Sequence, residues 1–355
     1  MVHFCMAIDH GEWTRGEPGS RVEQTLRFAR LADEGGFDSI WLNEDPDGWD
    51  AFAVLGAMAR ETERVRLGTG VTNVYHRNPN LIAASIATVD QLSEGRAFLG
   101  IGRGQPEVYE RVFGVDATNP LETMEQAIAR LREWWTHPYS APVEQGPAEA
   151  TWQRAVGPVG QPPVYIAAAG PQALDLAGRV ADGVLFNELA TPEHIEWVVA
   201  RVRRAAAAAG RDASVFSFFV NPAVTVTDDP LPVLERKKTF IAMVHALPGM
   251  DRLLMTGQWD VPAIMSTVRR VMRTEEVLMR GGLFTEMRKD GDMEAAKAAI
   301  PTGLVDHASA IGPLSVVRAK IERYAACGAT HIFIDRRGLS GDAQEVRALL
   351  SHLQG

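Results

Sequence analysis

Asn43, Glu44 and Asp45 stand at the end of a short apolar run, with Trp49 close behind. A carboxyl group in such a place can be partly buried, and a partly buried Glu44 or Asp45 is suited to hand a proton to a bound substrate. Trp49 offers a flat apolar face on which an aromatic ligand could stack. Asp9 and His10 end an earlier run, and His76 lies in "RLGTGVTNVYHRNP", bringing the residue type that changes charge near neutral pH. Taken singly, a solvated loop carboxylate or a surface histidine is the commoner case. Their meaning rests on what gathers them.

Two glycine patterns bear on the same question. Gly68 and Gly70 sit inside a run that otherwise reads as a strand, where glycine is kept for a bulge or for close approach of another molecule. "AAAGPQALDLAG" reads as a strand, a Gly-Pro turn and a helix start without bulky side chains; its unpaired amides suit a phosphate, and the same residues also make a plain tight turn. "GIGRGQ" has glycines at 100, 102 and 104, out of step with the G-x-G-x-x-G dinucleotide fingerprint. These glycines, like Gly68 and Gly70, are expected to clear space beside a flat ligand. No Ser-His-Asp order, Walker lysine or metal-ligand cluster competes with these features.

The hydrophobic pattern predicts the elements that must position them. Short apolar runs at 3–8, 39–43, 65–72, 97–102, 164–168, 183–187, 215–226 and 331–335 alternate with helical stripes, such as Ile82, Ile86, Val89 and Leu121, Met124, Ile128, Leu131. Eight strands each followed by a helix predict an α/β fold, a (β/α)8 TIM barrel, whose chemistry belongs at the C-terminal strand ends and the loops after them. Asn221 and Pro222 interrupt the seventh strand and mark its candidate end. Residues 228–312 form a long helical insertion after that strand, expected to be a lid or pocket wall, or else an elaboration for packing or dimerisation. The chain reads as one domain over 1–355.

Composition narrows the partners. The net charge of -9, from 45 acidic and 36 basic residues, disfavours nucleic acid and anionic membrane surfaces. Cys5 and Cys327 lie too far apart in sequence for a multi-bridge framework, and no metal site is expected. The amino terminus lacks a signal-peptide pattern and no run of about 18 apolar residues occurs, so a cytoplasmic protein acting on a small-molecule substrate is expected.

"RVRLGTGVTNVYHRNPNLIAASIATVDQLSEGRAFLGIGRG", "GFDSIWLNED", "YIAAAGPQALDLAGRVADGVLF" and "GPLSVVRAKIERYAACGATHIFI" together resemble the bacterial luciferase-like superfamily, and within it the branch using the deazaflavin coenzyme F420. The resemblance implies a flavin or deazaflavin ring across the barrel mouth, backed by a non-prolyl cis peptide that matches Gly70 to Val71. It places Gly104 and Gln105 at the ring or substrate, Ala169, Gly170 and Pro171 at the phosphate turn, and Asn187 at a second phosphate-side position. Asp9 and Glu44 match acidic residues near the deazaflavin, Trp49 matches an aromatic residue facing the substrate, and the string containing His76 lines the mouth.

The implied activity is hydride transfer between reduced F420 and a small organic substrate in a homodimeric oxidoreductase, with Asp9 and Glu44 catalytic and Glu44, or a water it holds, supplying the proton. An FMN-dependent two-component monooxygenase and a non-catalytic flavin-binding barrel stand as alternatives. Two departures matter. Glu44-Asp45 stands where F420-dependent sugar-phosphate dehydrogenases of this family carry an Asp-His pair, and Gln105 stands where they carry a Glu. Alcohol oxidation then lacks its expected base, whereas reduction of an unsaturated, imine or nitro substrate fits the set.

Overall fold

The computed structural model describes residues 2–11, 18–45, 48–104, 109–110, 114–136 and 156–354. Its parallel strands are β1 (His3–Ile8), β2 (Ser39–Leu42), β3 (Arg66–Thr69), β4 (Ala97–Ile101), β5 (Val164–Ala167), β6 (Gly183–Glu188), β7 (Ser217–Val226), β8 (Ile311–Gly312) and β9 (His331–Ile334). Strands β1 to β7 pair in chain order, and β9 pairs with both β7 and β1, closing an eight-stranded (β/α)8 TIM barrel. The two-residue β8, which the apolar pattern does not reveal, pairs outside the ring with Thr225 and Val226.

The barrel helices are α1 (Pro18–Gly35), α2 (Ala51–Glu61), α3 (Pro79–Leu92), α4 (Pro120–Thr136), α5 (Pro171–Val180) and α6 (Pro192–Ala208). Asp50 caps α2 by accepting from the amides of Phe52 and Ala53, and Asn78 caps α3 through Asn80. The insertion holds α7 (Leu231–Phe240), α8 (Val261–Val271), α9 (Thr274–Met279), α10 (Phe284–Asp290), α11 (Met293–Ala299) and α12 (Thr302–His307). The chain then resumes the barrel with α13 (Leu314–Ala326) and ends on α14 (Ala343–Gln354).

Inside the ring, alternate strand residues point inward and make a dry layer: Cys5, Trp41, Phe98, Tyr165, Phe219 and Phe333, with Leu185 packed against it. The Trp41 ring lies 4.4 Å from Phe98 and 4.6 Å from Phe219, centroid to centroid, so large rings fill the lumen. Strand β3 contributes Gly68 at this level, in register with Trp41 and Phe98. A Cβ at Gly68 would overlap the Phe98 ring and its carbonyl, and one at Gly70 would come within 3.0 Å of Trp41. This corrects the expectation for Gly68, which makes room for the barrel's own Phe98 ring; Gly70 packs closely against the Cβ of Trp41. Gly102 likewise accommodates Val71, which a Cβ there would approach to 2.8 Å.

Asn221 and Pro222 do not end β7, as the sequence had pointed to. The strand passes through them with its register against β9 shifting between Val220 and Val224 and with Ala223 at φ 50°. The Asn221 side chain accepts from the Ala223 amide and its carbonyl from the Leu189 amide, which absorbs the irregularity.

The insertion has its own methionine-rich core, including Met243, Met265, Met272 and Met287, and Leu189 and Ala223 carry it onto the barrel rim. Polar ties reinforce the joint. Thr191 Oγ1 donates to the Met255 carbonyl at 2.7 Å, His307 Nε2 lies 2.8 Å from Glu193, and Lys237 pairs with Glu188 and lies 3.6 Å from Asp335. A π-helical turn over Ile241–His245 follows α7 and buries His245 completely. Among the described residues, no helix is long and apolar enough to cross a membrane.

Candidate active site

The strand ends bring three polar clusters to the barrel mouth. In the first, Glu44 after β2 meets two residues of the segment beyond β3. Thr72 Oγ1 donates to one carboxylate oxygen at 2.5 Å, and Arg77 donates to the other from Nε at 2.7 Å. Arg77 also pairs with Asp50 at 2.8 Å and lies over the Phe52 ring. Burial alone would raise the Asp50 carboxyl; the Arg77 hydrogen bond and the amides of Ala53 and Phe52 hold it below the usual carboxylate range. Glu44 is 3% exposed. Both of its oxygens are thus engaged, and they tie the loop after β2 to the segment beyond β3.

In the second cluster, His10 after β1 lies against the loop after β2. Its Nδ1 is 3.2 Å from Asn43 Nδ2 and 3.3 Å from Asp45 Oδ2, and its ring meets Trp49 edge-on at 6.4 Å. Trp49 Nε1 donates to the Asn43 carbonyl at 2.8 Å, so this indole is 7% exposed and fixed in direction. Asp9 has other partners: it accepts from the Gly11 amide and pairs with Arg336 after β9 at 3.2 Å.

Between these clusters the end of β3 bulges. The Gly70–Val71 peptide is cis, as the resemblance implied, and the chain rejoins the sheet at Thr72, bridged to Ile101. Asn73, 3% exposed, then bends the loop by accepting from the amides of Tyr75 and His76 while donating to the Tyr109 hydroxyl at 3.0 Å. His76 thus occupies a turn whose shape Asn73 sets. Gly104, at φ 61°, needs its missing Cβ because Tyr109 occupies that space. Gln105 lies outside the described residues.

On the opposite strands, Ala169, Gly170 and Pro171 form a bare, half-buried turn into α5. Gly170 is the N-cap with no side chain to offer, Pro171 has no N–H, and a Cβ at 170 would meet nothing within 4 Å. First-turn amides beside open space of this kind accept an anion. Asn187 is exposed, and its side chain accepts from the Glu188 amide. Lys237, Glu188, Asp335 and Arg337 close the third cluster; burial alone would raise the Asp335 carboxyl, and Arg337 with Lys237 brings it below its ordinary range. Among the described residues, no group of three His, Cys, Asp or Glu side chains could hold a metal ion.

Arg77, Thr72 and Lys237 were given no site role from sequence, and His10 was marked only by its place at a strand end. Arg77 and Thr72 fall within the glycine-bounded stretch that drew attention, so position after a strand end was an available signal; Lys237, on an insertion helix, had none.

The sequence matches the family described as luciferase-like monooxygenase over residues 1–331. A 5,10-methylenetetrahydromethanopterin reductase of Methanolobus tindarius is 28% identical over 278 residues, 77% of this chain and 82% of its own. An F420-dependent glucose-6-phosphate dehydrogenase of Beutenbergia cavernae is 30% identical over 277 residues, 72% of this chain and 78% of its own. Among solved structures, the coenzyme F420-dependent tetrahydromethanopterin reductase from Methanopyrus kandleri has the same fold, with a TM-score of 0.70 at 21% identity, covering 98% of this chain and 97% of that one.

Proposed function

Because the chain belongs to the luciferase-like monooxygenase family, we propose that it is an F420-dependent oxidoreductase transferring a hydride between the deazaflavin and a small organic substrate. A relative named as F420-dependent and matched over 72% of the chain, together with a reductase matched over 77%, supports this reading. The observation of this structure that carries it is the bare turn at Gly170, which starts α5 with no side-chain cap and with open space where a Cβ would stand. That cradle fits a cofactor phosphate.

In this reading Ala169, Gly170, Pro171 and Asn187 hold the phosphate side, while Gly70, Val71, Gly104 and Gln105 border the ring. The bound deazaflavin supplies the hydride. The chain's own share is to orient the reactants and set the charge around them. Glu44, held by Thr72 and Arg77, supplies the proton directly or through a water, and Asp9, held by Arg336, is the second acidic residue near the deazaflavin. Trp49 and His76 border the substrate. The substrates that suit this set are reducible ones, with an unsaturated, imine or nitro group. The insertion at 228–312 acts as a fixed pocket wall, since its ties to Glu188, Thr191 and Glu193 hold it to the rim. Within the same reading, the chain works as a single domain and pairs as a homodimer, which sedimentation would check.

Equilibrium binding of F420 and of FMN to separate samples, followed by fluorescence, tests the proposal. Micromolar or tighter binding of F420 with FMN much weaker is expected. A clear preference for FMN would transfer the protein to the oxygen-using branch, and binding of neither would leave a barrel without a flavin role.

A further inference from the structure

We propose that Arg201 on α6 is the positioning residue that makes the turn into α5 select a phosphorylated cofactor, because it fixes the peptide that carries the Gln172 amide. The inference rests on the oxidoreductase reading above for the identity of the anion and on hydrogen-bond geometry for the residue.

Helix α5 begins with few donors to spare. Pro171 has no N–H, Gly170 brings no side-chain cap, and the Leu174 amide already returns to the Gly170 carbonyl at 3.0 Å. Among the described residues, the amides of Gln172 and Ala173 have no acceptor. An anion held at this turn depends on those two N–H groups.

Arg201 reaches the turn from the neighbouring helix. Its Nε donates to the Pro171 carbonyl at 3.0 Å, and its Nη2 donates to Asp175 Oδ2, one turn further along α5, at 2.5 Å. The Pro171–Gln172 peptide is planar and trans, so its C=O and N–H point in opposite directions. Holding the Pro171 oxygen therefore also sets the direction of the Gln172 N–H.

Two features hold the guanidinium itself. His194, Trp197 and Arg201 follow one face of α6 at spacings of three and four, with the imidazole 5.6 Å from the indole and the guanidinium 5.6 Å from the same ring system. The two helices also meet closely, since a Cβ at Gly178 would come within 2.7 Å of the Val202 carbonyl. Asp175 balances the charge of Arg201, so the pair acts through direction more than through net charge. With side chains 26% and 38% exposed, such a pair adds little to stability.

Equilibrium binding by fluorescence compares F420 with FO, the same deazaflavin ending in a free hydroxyl in place of the phosphate. The unmodified protein is expected to hold F420 at least about tenfold tighter than FO. Arg201→Met should weaken F420 binding by about tenfold, leave FO within about twofold, and leave the urea midpoint nearly unchanged. Arg201→Lys keeps the charge but not the two-point fork and should lose nearly as much F420 affinity. Equal affinities of the unmodified protein for F420 and FO, equal weakening of both by Arg201→Met, unchanged F420 affinity in that variant, or full affinity in Arg201→Lys overturns the positioning role. Nitrogen-15 NMR of the cofactor-free protein, titrated with inorganic phosphate at constant ionic strength, should shift the Gln172 and Ala173 amides, and clearly less in Arg201→Met. Equal shifts in the two proteins, or none in either, overturn the proposal. Failure of the unmodified protein to bind either deazaflavin strikes the oxidoreductase reading instead, and the phosphate titration still decides the role of Arg201.

Discussion

Glu44 and Arg77 face each other across 2.7 Å at the barrel mouth, the carboxylate side chain 1% exposed and the guanidinium 13%. Neither could stay charged in that place alone, because desolvation of an unpaired ion costs several kcal/mol. Each therefore holds the other, and with it the loop after β2 against the loop after β3.

Glu44→Gln should accordingly cost about 3 kcal/mol, the low end for breaking a buried pair, since Asp50 still faces Arg77. Urea denaturation of Glu44→Gln, Arg77→Met and the double variant gives the coupling, expected at about 1–3 kcal/mol. A coupling near zero would show that the two charges do not support each other.

Gly68 and Gly170 should respond oppositely to the same methyl group. Gly68→Ala drives a Cβ into Phe98 and is expected to cost about 1–3 kcal/mol or prevent folding. Gly170→Ala meets open space at an ordinary φ of -82°, so stability should fall by less than about 1 kcal/mol, the loss typical of alanine at an N-cap. F420 affinity should nevertheless drop about tenfold or more, or about 1.4 kcal/mol, as the methyl enters the phosphate cradle. Unchanged F420 affinity in Gly170→Ala would remove the phosphate from that turn.

Stability should decline in mild acid. Burial pushes His194, His245 and His331 down to about 4, in the last case against the pull of Asp38. The unfolded chain binds these protons near pH 6.5 and the folded chain only near 4, so the contribution is complete above about pH 6.5 and is lost as pH falls toward 4. Each histidine contributes a slope of up to about 1.4 kcal/mol per pH unit in that window. Urea midpoints at pH 7.5 and 5.5 check this; equal midpoints would mean that the rings take up protons without unfolding.

Lys237 joins the insertion to the rim through Glu188 and Asp335. Lys237→Met leaves those two carboxylates facing without their shared cation and should cost about 2–3 kcal/mol at neutral pH, with Lys237→Arg costing less. Hydrogen exchange should speed up over residues 231–307 before it does in β1 to β6. Uniform change across the chain would show that insertion and barrel open together.

Much of the barrel was legible because its rules are local. Strand alternation, helical stripes and capping residues such as Asp50 and Asn78 act between neighbours in the chain, so β1 and most of the other ring strands fall within a residue or two of the expected bounds. The β7 irregularity was misread for a related reason: Asn221 and Pro222 weaken a ladder locally, and only pairing with β9 and β8 on either side shows that the strand continues.

The site divides along the same line. Residue types at strand ends mark Glu44, Asp45 and Asp9 as candidates, since a parallel barrel puts all its C-terminal ends on one face. Whether a carboxylate there carries a proton or a fixed charge depends on partners 28 to 327 residues away, Thr72 for Glu44 and Arg336 for Asp9. The glycines show the limit most plainly. Sequence marks Gly68 as a place where a side chain is unwelcome, but what excludes it, the ring of Phe98, becomes a neighbour only when β3 and β4 pair.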